Sequence, residues 1–130
     1  AFFVEYGKSY EYAKLINLRD RKPANMIVST NGVYHIDFGA AFSKFLGPVF
    51  DSYVWRGYQD SYELGKKIAR AKIIDRFELH RPIVCGLLAH LDETAVTRMN
   101  DQDIRKEFPM ENPRTIIRER LAELGIGVTS

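Results

Sequence analysis

The sequence predicts a mainly α-helical unit that carries one small β-hairpin. Apolar residues recur at helical spacing over residues 1–18 and through most of the second half. Between them, β-branched and aromatic runs flank Asn31-Gly32, the strongest short hairpin signal. Near the end, Asn112-Pro113 and Gly125 bracket a periodic segment as a helix start and stop. With 130 residues, 45% hydrophobic and 28% charged, the chain is one globular unit that buries roughly two thirds of its unfolded surface.

Phe2, Phe3, Tyr6, Tyr10, Ala13 and Ile16 share one face of a first helix, and their aromatic stripe belongs to the core. A polar loop follows, from Arg19 to Asn25. Met26 to Thr30 and Val33 to Ile36 form the hairpin strands, with Asn31-Gly32 as the two turn residues because both positions need φ > 0. Such a ribbon, rising about 3.3 Å per residue, brings Asn25, before its first strand, close to Asp37, after its second. Residues 40–59, with Gly47, Pro48, Gly57 and several aromatics, read as irregular.

A helix then runs from Asp60, a candidate N-cap, to about Leu79, with Tyr62, Leu64, Ile68, Ala69, Ile73, Ile74 and Phe77 on one broad face. Pro82 to about Leu91 forms the next helix and Asp101 to Phe108 a short one. The last helix is capped by Asn112 and stopped at Gly125, with Glu119 and Glu123 beside Arg118 and Arg120 on an exposed face. No repeat, low-complexity tract or internal linker occurs.

Two runs carry chemistry: Arg19-Asp20-Arg21-Lys22-Pro23-Ala24-Asn25, which matches R-D-x-K-P-x-N, and His35-Ile36-Asp37-Phe38-Gly39, which contains D-F-G. In order and spacing they resemble the catalytic loop and metal-binding motif of the protein-kinase superfamily. That resemblance implies the C-terminal lobe of a protein-kinase-like α+β fold. Its parts are a helix over 1–18, the catalytic loop, hairpin and D-F-G over 19–39, an activation-like segment over 40–59, and a helical subdomain over 60–130.

The implied activity is ATP- and Mg²⁺-dependent phosphotransfer to a hydroxyl, Mn²⁺ being an alternative metal. Asp20 would orient or deprotonate the attacking hydroxyl, and Lys22 would set a cation near the transferred phosphoryl group. Asn25 and Asp37 would supply hard oxygen ligands to the metal. Arg19 and Gly39 would support the two runs, and Asp60-Ser61-Tyr62-Glu63-Leu64-Gly65 resembles D-x-x-S-L-G, whose aspartate hydrogen-bonds the catalytic loop. The Lys22-Pro23 pair is typical of serine/threonine protein kinases and implies a protein substrate. The A-P-E ending of the usual activation segment is missing, which leaves peptide docking open.

A second resemblance is to the phosphoinositide-kinase-like and actin-fragmin-kinase-like groups, in which D-R-H-x-x-N precedes H-I-D-F-G. Asp20-Arg21 and the whole of His35 to Gly39 match, whereas Lys22 stands where histidine is found. A lipid or small-molecule acceptor is therefore the alternative, and a non-catalytic pseudokinase or interaction module the second alternative.

No G-x-G-x-x-G occurs, and the catalytic loop already stands at residue 20. The phosphate-covering N-lobe is accordingly expected in cis from a longer protein or from another chain, and this chain alone is expected to be inactive. A net charge of +2 without a dense basic block argues against nucleic acid. Lys66, Lys67, Arg70 and Lys72 form one basic helical face, read as solvated or as a dock for an acidic partner. The single cysteine, Cys85, excludes an internal disulfide and fits a cytoplasmic or other intracellular reducing compartment. No apolar run is long enough to span a membrane. Ser43, Ser52 and Tyr53 are candidate phosphorylation sites in the activation-like segment.

Overall fold

The computed structural model describes residues 2–19, 21, 23–38, 40–44, 54–90, 98, 103–107 and 109–127. The elements are α1 (Phe2–Leu15), a 3₁₀ turn (Pro23–Asn25), β1 (Met26–Ser29), β2 (Gly32–His35), α2 (Gln59–Ala89), α3 (Ile104–Glu107) and α4 (Pro113–Glu123). Among the described residues it is mainly helical, with one two-stranded antiparallel sheet.

α1 ends before the expected residue 18 because Asn17 takes a left-handed conformation, φ 48°. The Leu18 amide bonds the Ala13 carbonyl (2.9 Å) and the Asn17 amide that of Lys14 (3.0 Å), so the last turn closes as a Schellman motif. Asn, like Gly, tolerates that conformation, which is why the helix stops there. Phe3, Tyr6 and Ala13 are buried as expected, and Tyr10 and Ile16 pack at the edge of the core, while Phe2 is exposed.

α1 lies against the first half of α2 so closely that a Cβ at Gly7 would overlap the Tyr62 carbonyl, and one at Gly65 the Val4 carbonyl. Only glycine permits this backbone-to-backbone crossing. Glu11, 3% exposed, reaches across it to Arg70 at 2.9 Å. Tyr62, Gly65, Ala69, Ile73 and Phe77 form the buried stripe of α2. The stripe is narrower than the predicted face, since Leu64, Ile68 and Ile74 are exposed.

The two helices expected on either side of Leu79 to Pro82 are one continuous element bent at His80, whose φ −112° and ψ 17° are not helical. Pro82 lacks an amide hydrogen and its ring crowds the preceding turn, so the axis must turn there. The short helix expected over 101–108 is seen as α3; Asp101, Gln102 and Phe108 lie outside the described residues, as does Leu91. α4 begins and ends as the sequence indicates. The Asn112 Oδ1 accepts from the Arg114 amide at 2.9 Å, Pro113 opens the helix, and Gly125 (φ 80°) closes it.

Three apolar clusters form among the described residues. Phe3, Tyr6, Val33 and Tyr62 join α1, α2 and the hairpin. Ala13, Leu18, Ala40 and Ala41 sit beneath the end of α1. Ile73, Phe77, Leu121 and Ile126 join α2 to α4. No helix among the described residues is long and apolar enough to cross a membrane.

Candidate phosphate and metal site

The hairpin pairs Met26 with His35, Ile27 with Tyr34, Val28 with Val33 and Ser29 with Gly32, so Thr30-Asn31 form the loop. This corrects the expected Asn31-Gly32 turn by one residue. The Ser29 Oγ accepts the Asn31 amide at 3.1 Å, and only Gly32, at φ 152°, has positive φ. A serine side chain thus satisfies the turn without requiring φ > 0 at both loop positions.

The ladder extends one step beyond the strands, because the Ile36 amide donates to the Asn25 carbonyl at 3.0 Å. Asn25 therefore faces Ile36, and Asp37 follows by one residue at the open end of the ribbon. The register gives the hairpin two unlike faces. Met26 and Val33 pack towards α1. The other face carries Asn25 together with Ile27, Tyr34 and Ile36, whose exposures of 52%, 52% and 48% leave an apolar surface beside Asn25. Asn25 is half-buried and Asp37 exposed.

Asp20, Lys22 and Gly39 lie outside the described residues. Arg19 is half-buried near Arg120, and burial first, then the Arg120 cation, lowers its pKa, with Tyr10 acting in the opposite sense.

Arg21, an unspecified position in the R-D-x-K-P-x-N pattern, is the residue that ties the loop down. Its Nη1 donates to the Ser9 Oγ (3.0 Å) and lies 2.7 Å from the His35 Nε2, and its Nη2 donates to the Tyr6 carbonyl (3.1 Å). The guanidinium also stacks 4.6 Å from the Tyr6 ring centroid. Guanidinium nitrogens have no acceptor capacity, so the His35 Nε2 must accept and its ring proton sits on Nδ1. One buried cation thus joins α1, the candidate catalytic loop and β2. His35, which alone reads as an ordinary strand histidine, is half of that junction.

The segment after Phe38 is anchored where it is described. The Phe42 amide donates to the Ile16 carbonyl (2.6 Å), and the Lys44 amide to that of Pro109 (2.8 Å). Buried Arg105 donates to the Ala41 carbonyl at 2.6 Å, and burial lowers its pKa. Asn17, a residue the sequence reading passed over, donates to the Ser43 carbonyl (2.7 Å) and accepts from Arg120 (2.6 Å). An asparagine directly after a helical run is the signal that marks such a position. Ser43 is fully buried, which removes it as an accessible phosphorylation site in this conformation; Ser52 and Tyr53 lie outside the described residues.

Asp60 is not the helix cap, and it has no bond to the described residues of the loop. The cap position is Tyr58, without a side-chain bond, and Asp60 is exposed in the first turn, where its charge meets the positive end of the helix. The expected basic face of α2 is divided: Lys66 pairs with Glu63 and Arg70 with Glu11, while Lys67 and Lys72 are exposed. Cys85 is a half-buried free thiol.

Among the described residues, no three His, Cys, Asp or Glu side chains gather to hold a metal. Of the residues expected to ligate a metal, Asn25 and Asp37 are the two described; a Mg²⁺ held there would keep several waters and take phosphate oxygens for much of its shell. Compared with protein-family models, curated proteins and solved structures, the chain finds no match.

Proposed function

We propose that this chain is the metal-holding lobe of an ATP- and Mg²⁺-dependent phosphotransferase. The observation that carries the reading is the hairpin register, with Asn25 facing Ile36 and Asp37 next along the strand exit. Phosphoryl transfer is mostly positioning and charge neutralisation, which two hard ligands on a rigid ribbon supply. The apolar surface of Ile27, Tyr34 and Ile36 beside Asn25 suits the flat face of a nucleotide base, so one ribbon offers contacts for both ends of ATP. Asp20 would orient the acceptor hydroxyl and Lys22 would contact the phosphoryl group.

Lys22-Pro23 supports a serine/threonine protein substrate. A second reading, a phosphoinositide-type acceptor, is favoured by a separate observation. Arg21 and His35, the residues belonging to the D-R and H-I-D-F-G pattern, bond to each other at 2.7 Å.

The test is γ-phosphoryl transfer from ATP by the full-length protein with Mg²⁺, offered a protein, a phosphoinositide and its own chain as acceptors, beside Asp20→Ala. Transfer that disappears in the variant supports the reading and identifies the acceptor class. No transfer, with no metal-dependent ATP binding, would leave a non-catalytic interaction module.

A further inference from the structure

Between α1, the bend of α2 and α4 lies a cavity of about 370 Å³. Its walls are apolar: Leu15 from α1, Ile73 and Phe77 from α2, and Leu121 from α4. An open cleft of this size lies within the range of about 300–1,000 Å³ typical of ligand sites. Covering its apolar walls removes apolar surface from water, which is favourable. An apolar ligand is the occupant its walls favour.

The rim specifies the other end of that ligand. Lys72, Arg76 and His80 line the cavity from α2, and no Asp or Glu among the described residues does. They are spaced i, i+4 and i+8, so they follow one edge for about 12 Å at about 1.5 Å per residue. Elsewhere on α2, Lys66, Arg70 and Arg81 each pair with a carboxylate, at 3.3, 2.9 and 2.6 Å. Lys72 and Arg76 have no such partner among the described residues. The non-helical backbone at His80 bends the helix where the third basic side chain meets the cavity.

The geometry points to a binding site for a single-chain anionic amphiphile, with its alkyl chain among Leu15, Phe77 and Leu121 and its carboxylate beside Lys72 and Arg76. This site stands apart from the hairpin and does not depend on the phosphotransfer reading. Apolar burial supplies the affinity, and Lys72 and Arg76 select the charge of the head group.

The test titrates the full chain with dodecanoate below its micelle-forming concentration, following heat and the NMR signals of Ile73, Phe77 and Leu121. Dodecyltrimethylammonium, with the same tail and the opposite charge, is titrated in parallel. The expected result is saturable one-to-one binding of dodecanoate that shifts those signals, with the cation at least tenfold weaker. The double variant Lys72→Glu, Arg76→Glu should weaken dodecanoate at least tenfold while keeping the parental melting temperature, since both side chains are exposed. Equal binding of the two head groups, an unaffected double variant, or shifts confined to other residues would overturn the assignment. Absence of saturable dodecanoate binding would also overturn it and leave the cavity to a protein partner.

Discussion

The two halves of α2 are packed in opposite ways. Its first half meets α1 backbone to backbone through Gly7 and Gly65 and helps to enclose the aromatic cluster on which the hairpin rests. From Lys72 through the bend to Val84 the helix borders a cavity of about 370 Å³, and around the bend Leu79, Ile83 and Leu87 are about two-thirds exposed, at 65%, 64% and 66%. One helix thus provides a rigid mount at one end and open apolar surface at the other. The contrast matters for function. The proposed metal site would have to be held within a fraction of an ångström, whereas an apolar ligand would need space and tolerate looser walls.

The sharpest way to break this contrast is to place the same methyl group at both ends. Gly65→Ala forces a Cβ into the Val4 carbonyl and should cost about 2–3 kcal/mol in urea unfolding. Gly86→Ala, where a Cβ meets nothing within 4 Å, should gain up to about 1 kcal/mol through helix propensity. Equal effects at the two positions would mean that the halves are packed alike.

Arg21→Ala tests the mount itself. It removes the donor to Ser9, Tyr6 and His35 and should destabilise by about 2 kcal/mol, with Arg21→Lys recovering only part because an ammonium cannot reproduce the fork. The smallest effect is expected at Asp60. Asp60→Asn should move stability by less than about 0.5 kcal/mol and leave metal-dependent nucleotide binding unchanged, because the exposed carboxylate bridges nothing among the described residues.

Local signals foretold the local structure. The caps of α4, the aromatic stripe of α1 and the hairpin were legible because Asn-Pro, Gly, helical periodicity and β-branched runs act within a few residues. The turn register was misread by one position because a serine hydroxyl replaced the φ > 0 requirement that Asn-Gly usually signals. The meeting of Asn25 with the Ile36–Asp37 exit was legible because hairpin geometry is local too. The links made by Arg21, Asn17 and Arg105 were not, since each joins segments distant in sequence and nothing in the spacing marks a buried guanidinium. The cavity was hidden for the same reason: Leu15, Phe77 and Leu121 look like ordinary core residues until three helices converge.

The most direct measurement is the affinity of the full-length protein for ATP with and without Mg²⁺, compared with Asp37→Ala. Phosphotransfer chemistry on this hairpin requires Mg²⁺ to tighten ATP binding at least tenfold, and Asp37→Ala to remove most of that gain without lowering the melting temperature. Binding that is indifferent to the metal, or metal dependence that survives in Asp37→Ala, would contradict a metal site at the open end of the ribbon.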